Sequence, residues 1–147
     1  MTEPKPNERI AAALAHGLII ANWMGIIAAA LIWLLEKEKS KYVAFQALQA
    51  VAYQFLGLLF WMAGLFCYMA TLFGGIGLAA LLNPQGEGDG IIAFFSLAPI
   101  CALFLLWALL IIYGLYGAYA SLLGRDFRYL VVGPLVERYI KGGQTAP

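Results

Sequence analysis

Lys41-Tyr-Val-Ala-Phe-Gln-Ala-Leu-Gln-Ala-Val-Ala-Tyr-Gln54 follows the charged run Glu36-Lys-Glu-Lys-Ser-Lys41 and opens an apolar segment with no charge until Glu87. At about 100° per residue, Gln46, Gln49, Ala50, Tyr53, Gly57, Gly64, Cys67, Tyr68 and Thr71 share one stripe, interrupted only by Phe60. Leu48, Val51, Phe55, Leu58, Leu59, Met62, Phe66, Met69 and Phe73 fall on the other side. One face suits lipid and the other suits protein. This pattern predicts a membrane helix over 42–73, packed through its polar and small residues.

The rest of the chain agrees with that reading. Of 147 residues, 63% are hydrophobic and only 12% charged, about half the charge of an average soluble domain. The charges fall at 3–9, 36–41, 87–89 and 125–141, leaving apolar stretches at 10–35, 42–86 and 90–124. A helical span needs about 20 apolar residues, so the expected class is all-α, a polytopic transmembrane helical bundle of three to four membrane segments. The alternating strands of a β-barrel are not visible. A net charge of +1 gives no case for nucleic acid. Cys67 and Cys101 lie in apolar stretches without a CxxC, so two packed thiols are expected, with a disulfide as the rarer alternative.

Three parts are expected: a polar tail at 1–9, one membrane-embedded helical domain at 10–123, and an interfacial tail at 124–147. Asn7 is placed to cap a first helix. Residues 10–35 end on charges and not on a cleavage site, so they read as retained in the membrane. They form either one tilted span, about 39 Å long, or a re-entrant hairpin of helices near 10–20 and 24–35, because His16, Gly17, Asn22 and Gly25 weaken the middle. Gly74, Gly75 and Gly77 are expected to loosen the second helix, and Asn83 to Gly90 to form a loop. Pro99 is expected to separate a short piece at 91–98 from a span at 99–123. Gly124 is expected to stop that span, and the amphipathic turn from Leu135 to Ile140, opened by Gly133 and Pro134, to lie along the head groups.

Lysine and arginine set the orientation. The 36–41 loop and the C-terminal tail carry them and the 83–90 loop carries none, which puts 36–41 and the C-terminus in the cytoplasm. The expected location is a bacterial plasma (inner) membrane. The expected partners are the lipid bilayer and other membrane subunits, or a second copy of the chain. Lys37, Lys39, Lys41, Arg125, Arg128 and Arg138 are the candidate head-group contacts.

Candidate chemistry is sparse. An antiparallel return brings Gln46, Gln49, Tyr53, Gln54 and Gly57 beside Gly114, Gly117, Ala118 and Ser121. Small residues let backbones approach, and the amides then bond across the gap, to Ser121 or to a carbonyl beside Gly117. The stripe is therefore helix glue or, alternatively, the lining of a polar path. As glue, Gln49→Leu is expected to cost only about 0.6–2 kcal/mol. His16 is the one ionisable group inside an apolar run, and it reads as a packing histidine more readily than a functional one. No second His completes a metal set, and no catalytic or nucleotide motif is present. No cofactor and no enzymatic activity are expected.

The stretch from Trp33 to Ala50, with His16 before it and Gly124-Arg-Asp-Phe-Arg128 through Gly133 after it, resembles small bacterial membrane proteins grouped with the twenty-kilodalton subunit family of the chloroplast inner-envelope translocon. Gln46 departs from that pattern, which often has His there. The resemblance implies a bundle of three or four membrane segments and, through the plastid relative, protein import. The leading functional expectation is a non-enzymatic accessory or scaffold subunit of a membrane complex. The alternative is a translocation or channel-like component.

Overall fold

The computed structural model describes residues 3–82 and 89–143. Among them every regular element is helical: α1 (Pro6–Gly17), a 3₁₀ turn (Leu18–Ala21), α2 (Trp23–Glu36), α3 (Lys41–Leu82), α4 (Asp89–Leu122) and α5 (Val132–Gly143). The chain forms two compact units. Met1–Leu58 with Leu110–Pro147 make the first, and Leu59–Leu109 the second.

In the first unit, α1 begins one residue before the expected cap. Pro6 supplies the preset φ of a first helical position, and the Glu8 carboxylate accepts the Lys5 N–H at 2.7 Å, so Asn7 lies inside the helix. Residues 10–35 are not one straight helix. Leu18–Ala21 tighten into a 3₁₀ turn, Asn22 takes φ 56°, and α2 starts afresh at Trp23. This is the broken backbone of the hairpin alternative. Gly25 makes the break compact: a Cβ there would collide with the Leu18 carbonyl oxygen.

Ser40 caps α3. Its Oγ accepts the Val43 N–H at 3.3 Å and its carbonyl the Ala44 N–H at 2.9 Å. Gly124 terminates α4 as the sequence expects. At φ 73° it directs its N–H to the Ser121 carbonyl, and the Arg125 N–H returns to that of Ala120, the paired bonds of a left-handed helix end. Beyond it a strap of non-helical chain runs to α5. Phe127, Tyr129, Val132 and Val136 are buried there with Tyr53 and Ala120.

The second unit corrects two boundaries. α3 continues past Gly74, Gly75 and Gly77 to Leu82. A glycine costs roughly 1 kcal/mol in a helix without breaking it, and among the described residues no group lies within 4 Å of where a Cβ would project from these three. Pro99 lies inside α4 and does not begin it, because an apolar helix tolerates the one lost backbone bond. Asp89 and Gly90 thus belong to α4, and the rest of the expected loop, 83–88, falls outside the described residues. Trp61 meets Phe104 and Trp107 at ring separations of 5.3 and 5.8 Å, and Leu103 covers Gly64. Cys67 and Cys101 are exposed free thiols, not packed ones, because in this stretch the aromatic and leucine side chains make the contacts.

Two helices, over Lys41–Ala79 and Ser96–Leu122, are long and apolar enough to cross a membrane, and Trp23–Glu36 is a shorter apolar helix. Their surface carries large exposed apolar side chains, Phe66 at 75% and Leu105 at 64% among them. Such a surface is stable only against lipid or another apolar partner.

The glycines separate by what surrounds them. Gly25→Ala is expected to lower the thermal unfolding midpoint in mild detergent by the equivalent of about 1–3 kcal/mol, since backbone must move. Gly57→Ala is expected to be nearly silent, because its Cβ meets only Leu110 Cδ1, at 3.9 Å. Equal midpoints for the two variants would contradict the packing of the hairpin break.

Candidate functional site

Most of the polar residues singled out by the sequence meet in the first unit. His16, Gln46, Gln49 and Ser121 are fully buried, and Tyr53 and Gln54 nearly so. α1 delivers His16, the first turns of α3 deliver the three glutamines and Tyr53, and the strap after α4 delivers Phe127 and Tyr129, which lie in the segment after Gly124 but are not among the candidate packing residues.

The hydrogen bonds fix the direction of each group. Gln46 Nε2 donates to the Phe127 carbonyl at 3.1 Å, with Asp126 Oδ1 at 3.5 Å. Its Oε1 therefore faces His16 Nε2 at 3.0 Å, and that nitrogen carries the proton. The other ring nitrogen, Nδ1, then accepts from the Tyr129 hydroxyl, also at 3.0 Å. A neutral imidazole has one donor and one acceptor, and both are used. Burial pushes the Tyr129 hydroxyl above its ordinary pKa, which keeps it a donor.

Gln49 closes a second clasp on the same strap. Its Nε2 donates to the Phe127 carbonyl and its Oε1 accepts the Tyr129 N–H, both at 3.1 Å. Gln54 Nε2 donates to the Ala15 carbonyl at 2.9 Å, one of the carbonyls left open at the end of α1. The aromatic rings pack around these bonds. Tyr129 stacks on Tyr53 at 3.9 Å, and Phe127 meets His16, Tyr113 and Tyr116 edge to face.

This geometry revises the expected partners. The glutamines bond to the strap and to α1, and not to Ser121 or to a carbonyl beside Gly117. Ser121 Oγ and Gln54 Oε1 have no hydrogen-bond partner among the described residues, while the Ser121 carbonyl lies 3.4 Å from the Tyr42 hydroxyl. Gly114 and Gly117 do sit at close approaches, and the groups nearest to them are Ile19 for Gly114 and the Phe127 ring and Tyr129 hydroxyl for Gly117. Gly57 makes no close contact, and Gly64 belongs to the second unit. A stripe of small residues on α4 is readable from spacing. The return of the chain after Gly124 to fill it is not, although Phe127 and Tyr129 alternate with exposed Arg128 and Leu130, a period-two signal for extended chain with one face buried.

The candidate head-group contacts Lys37, Lys39, Lys41, Arg125, Arg128 and Arg138 are all exposed. Arg128 is engaged by Asp126 at 2.8 Å and Glu137 at 2.7 Å, Lys39 by Glu36 at 3.1 Å, and Lys37 lies over the Trp33 ring.

The clasp makes Gln49 more costly to replace than helix glue. Gln49→Leu leaves the buried Tyr129 N–H without a partner, so the expected loss is about 1–3 kcal/mol, read as a lower unfolding midpoint in mild detergent. Leu48→Ile, half-buried beside it, is expected to stay close to wild type. A Gln49→Leu midpoint equal to that of Leu48→Ile would show that the clasp holds nothing.

The family model for the magnetosome magnetite crystal formation protein family matches residues 7–136, which takes in α1 to α4, the strap and the start of α5. No curated protein and no solved structure matches the chain. The resemblance to the chloroplast translocon subunit family is thereby corrected. The stretch from Trp33 to Ala50 and the segment after Gly124 that carried it both lie within the magnetosome family match.

Proposed function

The chain belongs to the magnetosome magnetite crystal formation protein family, and from that premise we propose that it is a non-enzymatic accessory protein of magnetite crystal formation, embedded in the magnetosome membrane. It is a small membrane protein with two helices apolar enough to span. The observation that carries the proposal is the match over 7–136, which takes in both spans and the polar cluster together. The family's description names the forming of a crystal and not a reaction. The fully buried, mutually bonded His16, Gln46 and Gln49 favour a rigid structural part over a translocation path, since their amides are spent on the protein itself. The proposed partners are lipid and other membrane subunits or further copies of the chain.

Deleting the gene in a magnetite-forming cell is expected to change crystal size or shape, with restoration by the wild-type chain. Mild solubilisation is expected to recover the protein in a larger complex. Crystals indistinguishable from those of the parent would sink the proposal, and a bare monomer would remove the accessory-subunit part of it.

The proposed orientation places 36–41 and the C-terminus in the cytoplasm. Ser40 is buried and would be shielded on either side, so exposed Lys39 is the better reporter. With Cys67 and Cys101 replaced by serine, and on isolated magnetosomes, whose outer face is the cytoplasmic one, a cysteine at Lys39 is expected to react with a membrane-impermeant thiol reagent and one at Gly88 to be protected. Protection at 39 and labelling at 88 would invert the orientation.

A further inference from the structure

α1 and α2 contain 12 and 14 residues, which makes them about 18 and 21 Å long at 1.5 Å per residue. Neither reaches across a hydrocarbon core of roughly 30 Å. They pack against each other on either side of the 3₁₀ turn, so the chain goes in and comes back. Both ends stay at one level: the Glu8 carboxylate at the start of α1 meets the Ser40 hydroxyl beyond the end of α2. The turn lies further along α3. A Cβ on Gly25 would lie 2.9 Å from Gln54 Oε1. Gln54 follows Lys41 by thirteen residues, about 20 Å along the helix. That is the depth of one leaflet, half of a bilayer about 40–45 Å thick with its head groups.

The hairpin is sorted by side-chain size. Where it meets α3 its residues are small: Ala15 and Ala29 are fully buried with Ala47 and Ala50. Its large apolar side chains face outward. Ile10 and Leu14 on α1, Ile20 in the turn, and Trp23, Ile27 and Leu31 along α2 are each more than half exposed. Between Arg9 and Glu36 no residue is charged, and the one ionisable side chain there, His16, is buried. An apolar face of this extent needs an apolar neighbour. It continues the kind of surface that the two spanning helices expose, so its neighbour is lipid.

The charges before Ile10 and after Leu35 hold the base of the hairpin at the head groups. A hairpin that turns back within a leaflet displaces lipid from that leaflet alone. The area it adds is relieved when the membrane bends outward on that side, and shallow apolar insertions are sensitive to curvature for this reason. We propose that the α1–α2 hairpin is a single-leaflet wedge, by which the protein recognises and favours membrane curved convexly toward the charged loop at 36–41. The wedge rests on the hairpin alone and is independent of any role in crystal formation.

The test uses the full-length protein in giant phosphatidylcholine vesicles, from which narrow membrane tubes are drawn. With Cys67 and Cys101 replaced by serine, a membrane-impermeant fluorescent thiol reagent on a cysteine at Lys39 marks only molecules whose loop faces outward. The same reagent on a cysteine at Gly88 marks those inserted the other way. The outer leaflet of a tube is its convex one. Molecules marked at 39 are therefore expected to be enriched in the tube over the parent vesicle, and those marked at 88 depleted. Ile27→Ser with Leu31→Ser is expected to bring the ratio at 39 back toward one, with an unfolding midpoint in mild detergent close to that of the parent. Met62→Ser with Phe66→Ser, a similar loss of exposed apolar surface from a spanning helix, is expected to leave the ratio unchanged. The comparison of the two marks uses the native hairpin, so it decides the proposal whether or not the variants fold. Equal ratios at the two marks, or a ratio unmoved by the Ile27 and Leu31 substitutions, would overturn it. A disulfide between two chains through a cysteine at Ile27 would put a second copy on this face in place of lipid and overturn it equally.

Discussion

An end of a buried glutamine amide left unbonded costs free energy, and in this protein Gln49 bonds both of its ends to a single piece of chain. Its two bonds grip the Phe127 carbonyl and the Tyr129 N–H. Burying an amide without partners costs roughly 1–3 kcal/mol by mutational measures, so the strap has one favourable position. From that position the other contacts follow. Tyr129 is carried onto the face of Tyr53 and within reach of His16, and Phe127 is carried over Gly117, where a Cβ would lie 2.8 Å from its ring. Gly133 is constrained from the same side, since its Cβ would lie 3.0 Å from Gln49 Oε1. One buried amide thus constrains two glycines and two aromatic positions, and a second, Gln46, sets the tautomer of His16.

The sequence exposed the demand but not the supplier. Composition and the stripe from Gln46 to Tyr53 were enough to read a helical membrane protein and to pick out Gln46 and Gln49 as inward-facing. Periodicity works because a helix has one angle per residue, and it carries no information about which distant segment lies opposite. The expected partner was the neighbouring antiparallel helix, the simplest source of small residues. The actual partner is a non-helical strap some 80 positions away in sequence, as the Gln49 to Tyr129 bond shows. The hairpin at 10–35 stayed ambiguous for a related reason. Asn22 and Gly25 weaken a helix in either alternative, and only the fit of Gly25 against the Leu18 carbonyl selects the break. Gly74, Gly75, Gly77 and Pro99 misled in the opposite direction, since breaker residues act on a helix only when another backbone conformation is cheaper.

The family resemblance drawn from the Trp33 to Ala50 stretch shows the same limit at the level of function. A loop with tryptophan before it, lysines within it and glutamines after it meets a general need of small membrane proteins. It anchors at the interface, orients by charge and packs by amide. Residues that answer a common physical need do not single out one biological role. The match over 7–136 includes the strap as well as the helices, so it weighs the elements that hold one another in place.

The length of α3 bears on where the polar cluster lies. Forty-two residues give about 63 Å at 1.5 Å per residue, twice a hydrocarbon core of roughly 30 Å. Tilting it wholly into that core would take about 60°, beyond the roughly 0–40° range of membrane helices. Part of α3 must therefore lie outside the hydrocarbon. The residues from Leu59 to Leu82 already supply about 36 Å, enough to span, and among those whose side chains are described none is charged. Gln46, Gln49 and Gln54 all lie within the first 14 residues of α3, beside the charged loop. A polar cluster at that end needs less help from the bilayer than one at mid-depth, because its open edges reach head groups and water. The same arithmetic explains why the strap can be non-helical. Backbone without regular hydrogen bonds is excluded only from lipid, and here it lies against glutamines that complete its bonds.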